Sequence, residues 1–116
     1  MILVDSSVWI RHFKKLNVEF AELLANNAVM IHPMIIGELA CGSMKYRTEI
    51  LQLLMTLPRA ESCSLDEVVD FIEHKNIHGK RIGWVDANLL ASAMVSKVSI
   101  WTFDRPLSHI ARELGV

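Results

Sequence analysis

The sequence predicts an α/β domain in which a small parallel sheet is covered by helices on both faces. Three observations predict it. Short all-apolar runs such as Ile2-Leu3-Val4 read as strands buried on both sides. Segments of 8–13 residues with helical apolar spacing separate these runs. The two patterns alternate along the chain, which is the signature of crossover-connected parallel strands.

The first strand, Ile2–Val4, ends at Asp5, and Ser6 and Ser7 then offer an N-cap for a helix to about Lys15. A second helix, Val18–Ala25, carries Phe20, Leu23 and Leu24 and stops at Asn26-Asn27. Ala28–Ile31 is the next buried strand. Pro33, suited to a first helical position, opens a helix with Ile35, Ile36, Leu39 and Ala40 that ends near Gly42. Tyr46–Leu57 is a further helix closed by Pro58, and Ala60–Cys63 is a weak short strand. Ser64-Leu65-Asp66-Glu67 fits a capping box, with Ser at the N-cap and Glu three residues on, opening a helix through Val68, Val69 and Ile72. Gly83-Trp84-Val85-Asp86 opens the next helix, to about Ser96. Val98–Trp101 is the last strand, and a short helix from Pro106 to about Leu114 completes the chain.

With 116 residues, no linker, repeat or low-complexity tract, residues 1–116 are expected to form one domain. The hydrophobic fraction of 52% excludes general disorder and hints at a further buried surface, such as a dimer interface. The longest apolar runs are about four residues, against the roughly 20 a membrane span needs. Asp5 interrupts the N-terminal apolar stretch, so no secretory signal is expected. Cys41 and Cys63 make no disulfide framework and read as buried thiols of a reducing cytoplasm. Net charge is −1, from 12 Lys and Arg against 13 Asp and Glu, so any nucleic-acid contact must be local rather than through bulk charge.

Four carboxylates carry the chemistry. In open α/β sheets ligands bind at the carboxyl ends of the strands. Asp5 follows the first strand, Asp104 follows the last, Asp86 opens a helix, and Glu38 stands among apolar neighbours in the helix after the second strand. Singly, each aspartate has an ordinary reading as a helix N-cap, and Glu38 one as a solvated or ion-paired residue. Together, acids from four elements would either keep protons or bind divalent cations. An oxygen-only set suits Mg2+ or Mn2+, and such ions clamp a scissile phosphate and activate water. The motif-level reading is a metal-dependent phosphodiesterase.

The residues around these acids resemble those of PIN-domain ribonucleases. Asp5-Ser6-Ser7-Val8-Trp9 resembles the start of that family, and Gly37-Glu38-Leu39-Ala40-Cys41-Gly42 its second acid block. Ile82 to Ala93, with Asp86, is similar to the third, and Ile100-Trp101-Thr102-Phe103-Asp104-Arg105-Pro106-Leu107 to the fourth. Order and spacing hold from Met1 to about Ala111, and the VapC-type toxins of toxin–antitoxin pairs are the nearest subgroup. The resemblance implies a small parallel sheet flanked by helices in a three-layer α/β/α fold. It implies Mg2+- or Mn2+-dependent RNA cleavage leaving a 5′-phosphate and a 3′-hydroxyl, a small antitoxin partner whose C-terminal segment occupies the groove, and a homodimer. Asp5, Glu38, Asp86 and Asp104 would be the metal-site acids, Thr102 a small polar support, and Ser6 or Ser7 similar supports. The chain departs from the pattern at Pro106, where many relatives carry a further acid. Where that acid helps hold a second ion, its loss implies one tightly held ion, with RNA supplying the remaining ligands.

Arg11 ends the first helix, where basic residues ordinarily favour the helix C-terminus; its functional reading is phosphate contact. Lys80 and Arg81 precede the third acid block, and Arg105 adjoins Asp104, where it would pair with a site acid or a substrate phosphate. His74 and His78 have zinc-compatible spacing without a third ligand and read as a surface pair. Trp9, Trp84 and Trp101 each sit near an acid motif; core packing is expected for each, with base stacking as the alternative for one. A phospho-accepting receiver would carry adjacent acids after the first strand and a Lys after a late one, whereas here the first strand delivers Asp5 alone. A PIN-like module that only docks a protein partner is the remaining alternative.

Overall fold

The computed structural model describes residues 1–116. Three short strands form one parallel sheet: β1 (Ile2–Val4), β2 (Val29–Met30) and β3 (Ser99–Trp101), in the order β2-β1-β3. Seven helices flank it: α1 (Ser6–Lys14), α2 (Val18–Ala25), α3 (Pro33–Cys41), α4 (Arg47–Thr56), α5 (Leu65–Lys75), α6 (Trp84–Ser96) and α7 (Arg105–Leu114). No helix is long and apolar enough to cross a membrane.

The fourth expected strand does not form. An isolated parallel bridge joins Ile31 to Arg59, just before residues 60–63, which themselves form no strand. The Ala60 amide donates to the Ile31 carbonyl at 2.9 Å, but the next amide, Glu61, turns to the Ser96 hydroxyl at 3.0 Å. The chain is drawn off the sheet edge onto α6 after two ladder bonds, the Ile31 amide donating to the Pro58 carbonyl and the Ala60 amide to the Ile31 carbonyl.

The central strand is the most buried. Leu3 and Val4 are fully enclosed and join Val8, Phe20, Ile35, Leu90, Leu107 and Ile110 in the core. Helix α6 is buried over seven successive residues, Ala87 to Ala93, as expected of a helix apolar on nearly every side. Val68 of α5 packs with its Ala87 and Ala91 as a second small cluster. Helix α7 is two-sided: Leu107, Ile110 and Ala111 face the core, while Arg105, His109, Arg112 and Glu113 are exposed.

Local signals set the ends. The Ser64–Glu67 capping box forms in both directions, at 3.2 and 2.8 Å. Asn17 rather than a Ser starts α2, accepting from the Phe20 amide at 3.0 Å. At α1 the cap position falls on Asp5, whose side chain caps nothing, and Ser6 and Ser7 lie inside the first turn.

Expectations of burial fail at three residues, Cys41, Cys63 and Trp84. Cys41 is exposed and Cys63 half-buried, because Cys41 is the last residue of α3, facing solvent. Burial still pushes the Cys63 thiol up, with the Glu67 and Glu61 charges adding to it and the Ser92 hydroxyl working against them. Trp9 lies in the core and Trp101 is half-buried in an aromatic chain with Phe20 and Phe103. Trp84 is 42% exposed, because it starts α6 ahead of the buried run.

Candidate active site

Parallel register brings two of the site residues together. Val4 pairs with Trp101, so Asp5 and Thr102 leave their strands side by side. The Asp5 amide continues the ladder to the Trp101 carbonyl at 2.9 Å. The Thr102 hydroxyl donates to Asp5 Oδ2 at 2.7 Å, and the Ser7 hydroxyl donates to the same oxygen at 2.8 Å. Ser7 Oγ in turn accepts from the Phe103 amide, and Thr102 Oγ1 from the Asp104 amide, each at 3.0 Å. The loop after β3 is thereby laced to the start of α1.

The three aspartates share one pattern. Asp104 Oδ2 accepts from the Leu107 amide at 3.0 Å and caps α7. Asp86 Oδ2 accepts from the Gly83 amide at 3.1 Å. This is half a capping box, since Gly83 has no side chain to return the bond. In each of Asp5, Asp86 and Asp104, Oδ2 is tied to the protein and Oδ1 takes no protein hydrogen bond. The ordinary cap reading holds in part: for Asp104 fully, for Asp86 as an acceptor one turn in, and for Asp5 not at all.

Glu38 completes the group from α3. By surface area its side chain is open to solvent, yet its carboxyl sits deep enough in the groove to lose hydration. That loss pushes its pKa up, the Ser6 hydroxyl beside it offsets this in part, and the charges of Asp5 and Asp86 push it further up. Asp86 is raised by burial first, against the Gly83 N–H, and then by Asp5 and Asp104. All four acids therefore act on one region, and Ser6 and Ser7 touch different acids.

No protein cation neutralises them. The only salt bridge in the chain joins His109 and Glu113, on the exposed side of α7. Arg105 is exposed and pairs with no site acid. Arg11 lies with its guanidinium carbon 4.0 Å from the centroid of the Phe103 ring, adjoining the Asp104 loop. Lys80 and Arg81 are exposed in the loop before α6. His74 and His78 are exposed as well, without a third ligand. No three His, Cys, Asp or Glu side chains are drawn close enough to grip an ion as they stand.

A groove of about 220 Å³ leads away from Glu38. Ile10 and Phe13 of α1, Leu39 of α3 and Met44 form its apolar lining, and Lys14 and Lys45 supply positive charge.

A family model described as the PIN domain matches residues 2–113. The chain belongs to the PIN-domain family. It is a VapC-type member: it is 41% identical to "Ribonuclease VapC32" in two strains of Mycobacterium tuberculosis, over 100% of this chain and 94% of that protein. The fold is also that of PAE2754 from Pyrobaculum aerophilum, with a TM-score of 0.63 and 18% identity, covering 98% of this chain and 94% of that one.

One support of this site, the bond between His32 and Ser92, does not stand out in the sequence. His32 is buried and caps α3, its Nδ1 accepting from the Met34 amide at 3.0 Å. Its Nε2 therefore carries the proton and donates to Ser92 Oγ, 3.0 Å away on α6. Burial lowers the His32 pKa, which keeps it neutral. This bond fixes the helix bearing Glu38 against the helix bearing Asp86; a buried donor left unpaired costs about 1–3 kcal/mol. Asn88, also on α6, donates from its amide to the Trp84 carbonyl at 2.9 Å. The readable signal was polarity out of place, since Asn88 and Ser92 interrupt an otherwise apolar run.

Thr102→Val removes the shortest bond to Asp5 and the acceptor for the Asp104 amide, keeping the shape of the side chain. It is expected to lower turnover at this site about 10- to 100-fold, the range typical of lost supporting bonds, while thermal melting moves by a few degrees only. Unchanged turnover would show that Ser7 alone positions Asp5.

Proposed function

We propose that this chain is a Mg2+- or Mn2+-dependent endoribonuclease and the toxin of a toxin–antitoxin pair, with Asp5, Glu38, Asp86 and Asp104 as its working acids. The observation that carries the reading is the uncompensated charge: four carboxylates from four elements act on one region, two of them raised in pKa, with no basic side chain to neutralise them. The 41% identity to a protein named as a ribonuclease supports the substrate class.

The donor set fits a hard divalent ion, which takes carboxylate oxygens and keeps sites for water and phosphate. When bound, such an ion supplies positive charge against the scissile phosphate and makes an attacking water more acidic. The residues of the chain do the positioning. Ser7 and Thr102 hold Asp5 by one oxygen and leave the other for the site. Gly83 does the same for Asp86, and the first turn of α7 does so for Asp104. Ser6 biases Glu38 toward its ionised form. Arg11, Lys80, Arg81 and Arg105, with Lys14 and Lys45 in the groove, would contact RNA phosphates. One tightly held ion fits this arrangement, with Pro106 in place of a further acid. A small antitoxin and a second copy of the chain are the partners in this reading. Exposed apolar residues such as Ile10, Leu53 and Met55 offer surface to them.

The test is cleavage of RNA by the purified protein in Mn2+ or Mg2+, with EDTA as control. Expected are 5′-phosphorylated products, loss of cutting in EDTA and recovery when excess Mn2+ is added back. Cutting that persists in EDTA would overturn the metal-dependent reading.

A further inference from the structure

A second cavity, of about 280 Å³, lies at the start of α6 and away from the groove at Glu38. Ile72, Ile77, His78, Ile82 and Trp84 are among its lining residues, Ile77 buried and Trp84 and His78 exposed. Trp84 is an exposed indole, and indoles are normally placed out of water. Its backbone is not loose, because the Trp84 carbonyl is held by Asn88. Gly83 belongs both to this cavity and to the site, lining the first and donating its N–H to Asp86. The cavity and the acid are thus two sides of one turn.

The loop that supplies one wall of the cavity is basic, while Glu73 and Asp86 adjoin its lining residues Ile72 and Ala87 on α5 and α6. Ile77 to Val85 contains Lys80 and Arg81 and no acid, in a chain whose net charge is −1. Both cations are exposed and in no ion pair. An apolar slot with an exposed indole and free cations beside it suits a flat heterocycle attached to an anionic strand. Aromatic faces stack on unpaired bases of any identity, and neighbouring cations take the phosphates.

We infer that this cavity is a base subsite, in which Trp84 stacks an unpaired nucleobase of the RNA strand whose phosphate lies at the acids. The inference rests on the endoribonuclease reading and deepens it. Trp84 then positions the strand, and Lys80 and Arg81 hold its backbone.

The experiment compares two fluorescein-labelled probes by anisotropy in Ca2+ at one ionic strength: a 12-nucleotide oligouridylate, and an abasic 12-mer with the same phosphates. The wild type is expected to bind the uridylate about fivefold or more tighter, the gain of one stacked base. Trp84→Ala should erase that preference and leave abasic binding unchanged, while Trp84→Phe should keep most of it. A preference that survives Trp84→Ala, or equal weakening toward both probes, overturns the subsite. So does unchanged RNA affinity with an altered sedimentation coefficient, which would make the face a self-association surface. A wild type that binds neither probe would instead overturn the RNA reading itself. Binding both equally would overturn only the stacking.

Discussion

Asp86→Asn is expected to lower RNA cleavage by about a thousandfold or more while leaving the chain folded. The substitution keeps the size of the side chain and an oxygen to accept from the Gly83 N–H, so the first turn of α6 retains its 3.1 Å bond. What it removes is a negative charge. Losing a ligand that holds charge against a phosphate forfeits several kcal/mol of transition-state stabilisation, and each 1.36 kcal/mol is about tenfold in rate. Asp5→Asn should act alike. An amide oxygen can still accept from Ser7 and Thr102, but the unbonded side no longer carries charge. Cleavage assays in Mn2+, paired with circular dichroism, separate the outcomes. Wild-type rates in both variants would remove these acids from the chemistry. Loss of the folded signal would instead give these acids a structural role, Asp5 as the acceptor for Ser7 and Thr102 and Asp86 as the acceptor for the Gly83 amide.

Much of this site was legible because it depends on strand ends. A buried apolar tripeptide followed by Asp5, and another apolar run followed by Thr102 and Asp104, place those residues at one edge once the strands are parallel. The contact between Ser7 and Thr102, 95 residues apart and 3.3 Å between oxygens, needed the register. So did the His32–Ser92 bond: histidine is an uncommon cap, and its partner lies 60 residues away. The strand expected at 60–63 failed for a similar reason. Its local sequence permits extension, but a tertiary bond from Glu61 to Ser96 decides where the chain goes. Trp84 was misplaced because apolar character predicts burial on average, whereas a residue at the mouth of a helix can be left at the surface. Helix limits fared better. Val18–Ala25 and the Ser64 cap agree with the sequence reading because Asn and Ser satisfy orphan amides within one turn.

The second large effect is on stability, and it follows from the same repulsion. A carboxyl whose pKa is raised on folding binds protons more tightly in the native state than in the unfolded chain. Its contribution is most favourable below the ordinary carboxylate range and is lost as pH rises through the raised value. Glu38 and Asp86 are both raised, so at pH 7.5 the metal-free protein carries a cost that the unfolded chain does not. His32 contributes nothing to that slope at pH 7.5, because its lowered pKa leaves it neutral above about 6.5 in either state. Glu38→Gln should therefore melt higher than the wild type in EDTA, and the difference should shrink as pH falls toward the carboxylate range. Adding Mn2+ should reverse the order. At 100 times Kd a ligand stabilises the native state by about 2.7 kcal/mol, which for a domain of this size raises Tm by roughly 10 °C. The wild type should show that rise and Glu38→Gln much less of it. Thermal melts of both proteins, with EDTA and with Mn2+, decide the matter. A wild type unmoved by Mn2+, beside a Glu38→Gln protein no more stable in EDTA, would mean that the four acids neither repel nor bind together. Their shared region would then be an accident of the fold. The expected crossing of the two melting orders would instead identify the repulsion as the feature that makes the empty site unstable and the loaded site tight.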